Sequence, residues 1–135
     1  MSRENVNLVL AFHAAYNARE LDAAVDLCAA DVEVFPDASV FPEGGVSGRD
    51  EFLAFMEETW SAWESCSAKV EDVFDVEDGR VLIRGDWGGV GIASGAESYR
   101  SLSTTFTVRD GQISKVEYFF DHAKALEAVG LREQQ

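Results

Sequence analysis

Positive charge is what this sequence has least of: 11 Lys and Arg stand against 25 Asp and Glu, a formal net charge of −14 with a pI near 4.3. Phosphate backbones and anionic lipid surfaces are held by clustered basic residues, so a nucleic-acid surface and a membrane-surface role are both excluded as expectations. Lysine is confined to Lys69, Lys115 and Lys124, and arginine outnumbers it. Such an acidic coat fits a halophile, and fits equally an ordinary acidic surface encoded by a GC-rich genome; melting temperature measured across salt separates the two. Cysteine is limited to Cys28 and Cys66, in stretches that read as buried helix and buried strand, where a free thiol behaves as a small hydrophobe. The apolar segment after Met1-Ser-Arg-Glu-Asn is too short and too soon interrupted for a membrane span or a signal peptide, so a reduced, cytoplasmic protein is expected. There is no Gly-rich phosphate loop, nucleophile elbow, zinc pattern or EF-hand, which removes support for phosphoryl transfer, serine-hydrolase chemistry and structural metal. Neither a metal nor a cofactor is expected.

What is present is hydrophobic material, 47% of the chain, enough for residues 1–135 to form a single domain without staples. Val6, Val9, Phe12 and Tyr16 recur at helical spacing between Glu4 and Asn17. His13 adjoins that stripe and, with no second His or Cys at metal spacing, is given no catalytic role. Leu21, Ala24, Val25 and Cys28 mark a second helix of about two turns, short enough to depend on packing. Asp31 to Pro36 alternates as a strand, with Val32 and Val34 opposite Glu33 and Phe35; the segment Pro36 to Gly48, holding both Pro36 and Pro42, reads as a loop.

A third helix starts near Arg49, capped by Ser47 or Gly48, with Asp50 and Glu51 at the positive end of its dipole. Phe52, Met56, Trp60 and Trp63 make its central stripe, flanked by Leu53 and Phe55, so it is expected to lie across a large sheet. Its tryptophans are either core filling or a pocket wall. Strands are predicted over Cys66–Val76, Arg80–Ala93, Tyr99–Val108 and Gln112–Phe120, with Asp78-Gly79 and Asp110-Gly111 as hairpin turns. Helices followed by an antiparallel meander give an α+β domain with the sheet curved around the third helix.

In the last strand, period two puts Val116, Tyr118 and Phe120 on an inner face and Lys115, Glu117, Phe119 and Asp121 on the other. Tyr118 is then a core tyrosine or the floor of a pocket. Asp121 stands where the strand ends and a helix from His122 begins, so it is an N-cap, and Gly130 closes that helix. Within Val81-Leu-Ile-Arg-Gly-Asp-Trp87, Arg84 and Asp86 share a face with Leu82, against Val81, Ile83 and Trp87. If the charged pair faces inward it can orient a water; if outward it is a surface ion pair of little energetic value. Val81, Ile83 and Trp87 look like the core face, which would send the pair outward.

Taken together, Phe12-His-Ala-Ala-Tyr-Asn17, Leu21-Asp-Ala-Ala-Val25, Ala30-Asp-Val-Glu-Val34, Gly45-Val-Ser-Gly-Arg-Asp-Glu-Phe52, Asp110-Gly-Gln-Ile113 and Glu117-Tyr-Phe-Phe-Asp121, with Ala125-Leu and Gly130-Leu131, resemble the SnoaL-like branch of the nuclear transport factor 2-like (ketosteroid isomerase-like, cystatin-like) superfamily. The resemblance covers nearly the whole chain. It implies a cone: a strongly curved antiparallel sheet, closed by N-terminal helices, around an apolar cavity, with a homodimer formed through the outer sheet face.

The polar groups that relatives use are mostly replaced. Where SnoaL-type polyketide cyclases keep an aspartate and a histidine, this chain has Tyr118 and Thr104. Where ketosteroid isomerases keep their phenol, base and acid, it has Phe12, Phe35 and Thr104. A tyrosine is a poor base near neutral pH, its ordinary pKa being about 10. Limonene-epoxide hydrolases use an Arg-x-Asp pair that aligns with Arg84-Gly-Asp86; this would turn the pair inward, beside Tyr118, and make Val81, Ile83 and Trp87 the dimer face. Two functions are therefore expected. The first is binding of a small apolar molecule, without an intact known catalytic set, in a pocket lined by Phe12, Tyr16, Phe35, Met56, Trp60, Thr104, Phe106, Tyr118 and Phe120. The alternative is an epoxide-hydrolase-like hydrolase or isomerase using Asp86, Arg84 and Tyr118 as catalytic residues.

Overall fold

A computed structural model describes residues 3–39 and 44–131. Helices α1 (Arg3–Asn17) and α2 (Leu21–Asp26) precede strands β1 (Cys28–Phe35) and β2 (Val46–Ser47) and helix α3 (Arg49–Trp60). The chain then runs through β3 (Trp63–Val76), β4 (Arg80–Gly91), β5 (Glu97–Arg109) and β6 (Gln112–Phe119) to helix α4 (His122–Ala128). One six-stranded sheet results, in the order β2-β1-β6-β5-β4-β3. Each neighbouring pair is antiparallel except β1 with β6, which is parallel because the chain between them passes through α3 and the meander. The expected α+β cone with N-terminal helices against a curved sheet is thus the observed architecture.

The hydrophobic patterns explain the elements. Val9 and Phe12 bury the stripe of α1, and Phe52, Met56 and Trp60 bury that of α3. The two helices meet where the Phe12 and Phe52 rings stack at 5.8 Å. No side chain of Gly48 caps α3; instead a Glu51 carboxylate oxygen accepts from the Ser47 amide at 2.9 Å, reaching back as an acid in a capping box does. Asp121 caps α4 by accepting from the Ala123 amide at 3.0 Å. Asp78 and Gly79 at φ +65 and +73, and Asp110 and Gly111 at φ +55 and +75, are the left-handed pairs of tight hairpin turns.

Several expectations shift. Cys28 opens β1 rather than closing α2, which stops at Asp26. Trp63 leaves the α3 stripe to begin β3, where it meets Trp87 edge-on at 5.4 Å. Val46 and Ser47 pair with β1, so part of the expected loop is an edge strand. Pro42, expected in that loop, lies outside the described residues.

Two apolar clusters hold the sheet from opposite sides. The larger one fills the concave face and includes Val81, Ile83, Phe106 and Val116 beneath α1 and α3. The smaller one lies on the convex face, where Leu82 clusters with Ala125 and Leu126 of α4 and with Val129 just after it, Phe74 and Phe119 alongside. Curvature comes from bulges in β3 and between Thr107 and Val108. Beside the Val70–Asp72 bulge the strands crowd so closely that a Cβ on Gly85 would collide with the Lys69 carbonyl.

Candidate functional site

Between the helices and the concave sheet face lies a cavity of about 200 Å³. Helix α1 contributes Phe12, His13 and Tyr16, and α3 contributes Phe55, Met56 and Thr59. From the sheet come Ala68 of β3, Trp87 of β4, and Arg100, Leu102, Thr104 and Phe106 of β5, every second residue of one strand. Tyr118, Phe120 and, just past β1, Pro36 and Asp37 complete the lining.

Sheet register decides which charged residues can reach this space. Tyr118 stands opposite Thr104, which stands opposite Ile83. All three therefore share the concave face, and so do Val81 and Trp87. Arg84 and Asp86 are one residue out of phase, opposite Ser103 and Ser101, and project from the convex face. Arg84 there pairs with Asp72 at 3.4 Å, both side chains nearly half exposed. The expected set of Asp86, Arg84 and Tyr118 is not assembled, because the sheet separates the pair from the phenol. Correspondingly, Val81, Ile83 and Trp87 are interior residues and no dimer face.

Two expected lining residues also stand elsewhere. Phe35 is opposite Glu117, on the convex face, and 40% exposed with the Lys115 ammonium 5.4 Å from its ring centre. Its alternation with Val34 sends it there. Trp60 is buried but is not part of the lining; it sits between Tyr16, at 6.1 Å, and the Arg19 guanidinium, at 4.8 Å. Phe12, Tyr16, Met56, Thr104, Phe106, Tyr118 and Phe120 do line the cavity.

Four polar features shape its chemistry. The Trp87 indole donates to the Tyr16 hydroxyl at 3.0 Å, and that hydroxyl also contacts the Cys66 thiol at 3.5 Å. Burial, followed by the Cys66 contact, pushes the Tyr16 phenol above its ordinary range, so it stays protonated. Tyr118 is likewise pushed up by burial, and among the described residues neither its hydroxyl nor that of Thr104 has a hydrogen-bond partner. His13 is 9% exposed, with Nδ1 3.3 Å from the Val9 carbonyl. Burial lowers its pKa against the opposing effect of that bond, which favours the neutral ring. With Nδ1–H assigned as the donor to Val9, Nε2 is left as an acceptor.

Asp37 and the exposed Arg100 bring charge to the lining. Burial works to raise the Asp37 carboxyl, yet the Phe120 amide at 2.7 Å, the Ser39 hydroxyl at 2.5 Å and amide at 2.8 Å, and nearby Lys124 together hold it below the usual carboxylate range. The Arg100 guanidinium lies 3.5 Å from the centre of the Phe120 ring. Among the described residues no group of three His, Cys, Asp or Glu is arranged to hold a metal ion.

His13, Asp37, Arg100 and Trp87 were not expected in the lining. Arg100 was legible in principle, since period two carried back from Phe106 and Thr104 through Leu102 reaches it. His13 shares the α1 face of Phe12 and Tyr16. For Pro36 and Asp37, in irregular chain, no such signal exists.

The SnoaL-like domain model matches residues 9–116, most of the chain. The chain belongs to the SnoaL-like domain family. Solved structures similar to this SnoaL-like chain confirm the fold. TerC, co-crystallised with polyporic acid, superposes with a TM-score of 0.76 at 19% identity over 93% of this chain and 97% of its own. A protein of ketosteroid isomerase-like fold from Catenulispora acidiphila, in complex with trimethylamine, gives 0.74 at 20% identity over 92% of each. A candidate polyketide cyclase from Xanthomonas campestris pv. campestris gives 0.71 at 22% identity over 95% and 98%. No curated protein matches the chain. None of the described helices is long and apolar enough to cross a membrane.

Proposed function

We propose that this SnoaL-like domain binds a compact, mostly apolar molecule of one or two rings inside the cone. The cavity carries the reading: its walls are aromatic and aliphatic, and its few polar groups, Thr104, Tyr118 and His13, converge on the enclosed space. An apolar cavity of about 150 Å³ already holds benzene, whereas drug-sized ligands take roughly 300–1,000 Å³, so the space suits a small ring system. TerC and the Catenulispora protein, each solved with a small organic molecule, support small-molecule binding as a use of this fold. An unpartnered Tyr118 hydroxyl and a neutral His13 supply one donor and one acceptor, which suits a ligand with a carbonyl or hydroxyl group.

The test is titration with 2-acetylnaphthalene, followed by quenching of tryptophan fluorescence, because Trp87 lines the cavity. Saturable one-to-one quenching is expected, lost when Ala68→Phe fills the space. Absence of saturable binding, or binding untouched by Ala68→Phe, would sink the proposal.

A second reading is favoured by His13: an acceptor nitrogen oriented by the Nδ1–Val9 bond in the cavity lining supports a general-base role, with the Tyr118 hydroxyl as donor to a substrate oxygen. It replaces the hydrolase built on Asp86 and Arg84, whose side chains are on the far side of the sheet. Turnover of small cyclic ketones or polyketide-like substrates that survives His13→Gln would remove it. We further propose a single domain over residues 1–135, cytoplasmic and homodimeric. Free Cys28 and Cys66 support the reducing compartment, and Phe35 and Tyr99 leave apolar surface exposed for a partner copy. Sedimentation at micromolar concentration tests the dimer; a monomer throughout would remove it.

A further inference from the structure

We propose that Arg100 is an anion-binding group at the mouth of the cavity, and that the ligand is an aromatic carboxylate whose ring enters the cone while its carboxylate stays at the opening. The inference rests on the cavity reading above and adds the charge of the occupant.

Arg100 alternates with Leu102, Thr104 and Phe106 along β5 and stands opposite Trp87, so its stem leaves the strand on the concave side, and it lines the cavity while remaining exposed. Its guanidinium lies over Phe120, 3.5 Å from the ring centre. A guanidinium stacked on a ring is held by its flat face, and its in-plane N–H donors stay available for a planar, two-pronged acceptor. Among the described residues nothing takes them: no ion pair or hydrogen bond joins Arg100 to any acidic group, in a chain with 25 acids and 11 bases. Arg84, by comparison, pairs with Asp72 across the convex face.

The platform beneath Arg100 is itself fixed. Asp37 accepts from the Phe120 amide at 2.7 Å and so pins the chain just past β6, where the Phe120 ring carries the guanidinium. The Asp37 charge is taken up by that amide and by the Ser39 amide and hydroxyl, and Lys124 lies near enough to act on it. Asp37 is thus already engaged, whereas Arg100 in the same lining is not. A single unpaired cation in a lining that also holds the Asp37 carboxylate favours a monoanion over a phosphate dianion, which that carboxylate would repel more strongly. Behind the charge the walls are apolar, so the body of the molecule must be hydrocarbon. A fork-to-fork pair at an opening also gives orientation, since a carboxylate held there directs the far ring edge toward Thr104 and Tyr118.

The experiment compares 2-naphthoate with the neutral 2-naphthylmethanol on the wild-type chain, Arg100→Gln and Arg100→Lys, by calorimetry and tryptophan quenching at low and moderate salt. Charged hydrogen bonds support a preference for the acid of about tenfold or more in the wild type, falling with salt. Arg100→Gln should lower naphthoate affinity by about the same factor and leave the alcohol within about threefold. Arg100→Lys, which keeps the charge and loses the fork, should fall between. Equal binding of acid and alcohol, or equal weakening of both by Arg100→Gln, overturns the proposal and leaves the cavity reading standing. If neither compound binds, that reading fails and this one with it. Arg100 is exposed, so circular dichroism of the variants should match the wild type; a variant that binds the alcohol normally is folded at the site by that measure alone.

Discussion

The Trp87 indole nitrogen donates to the Tyr16 hydroxyl at 3.0 Å, joining β4 to α1 through two side chains that both line the cavity. Tyr16→Phe deletes the acceptor and leaves the indole N–H unpaired in a half-buried place. A loss of about 1–3 kcal/mol is expected in urea unfolding, with a shift in tryptophan emission. An unchanged midpoint would show that the bond does not fasten the helix to the sheet.

Tyr118→Phe should behave in the opposite way. Its hydroxyl has no partner among the described residues, so removing it should leave stability unchanged or raise it by up to about 1 kcal/mol, while binding of a carbonyl-bearing ligand weakens. A clear drop in stability would mean that the phenol is held by the protein.

His13 makes stability depend on pH in a definite direction. Its folded pKa lies below the ordinary 6.5, so below that pH the unfolded chain binds a proton that the folded chain refuses. Stability from this group is complete above 6.5 and falls as pH drops beneath it, at no more than about 1.4 kcal/mol per pH unit. Urea unfolding of wild type and His13→Gln between pH 5 and pH 8 isolates it. The difference between the two should narrow as the pH falls, and a constant difference would contradict the buried neutral ring.

Asp86→Asn and Arg84→Ala should leave cavity ligand affinity untouched, because both side chains lie across the sheet from it. The Arg84–Asp72 pair is nearly half exposed and should contribute no more than about 1 kcal/mol, read by the same unfolding assay. Weakened ligand binding in either variant would reopen the inward arrangement.

Leu82→Ala removes the centre of the convex cluster and should cost about 2–5 kcal/mol, while ligand affinity measured on the folded fraction stays the same. Lost affinity at retained fold would show the two faces to be coupled.

Periodicity was reliable for deciding which residues share a face: Val116 with Tyr118, Thr104 with Phe106, and Arg84 with Asp86. Choosing the face was harder, because Leu82 beside Arg84 is as hydrophobic as Ile83 beside it on the other side. Both are buried, one by α4 and one by the concave core. The composition of Val81, Ile83 and Trp87 pointed to the interior correctly, and likeness to an Arg-x-Asp enzyme pointed the other way. Phe35 shows the complementary error: its alternation with Val34 places it outside, and its match to the base position of ketosteroid isomerases argues for the pocket. Trp63 left the helical stripe because α3 stops at Trp60, a terminus that no Gly or Pro announces. Arg100 was hidden by its charge, since period two assigns an arginine to solvent by default, whereas an arginine at a rim serves both.

The fastening of α4 to the back of the sheet has a consequence for how this molecule can change. An unfilled chamber forgoes the dispersion contacts that side chains would make across it. Leu82, Leu126 and Val129 supply such contacts on the blind side, where they take up no room inside. The wall is therefore held by a grip that no cavity-lining side chain supplies. Residues facing the chamber are left free to be exchanged, provided that the grip behind them is kept.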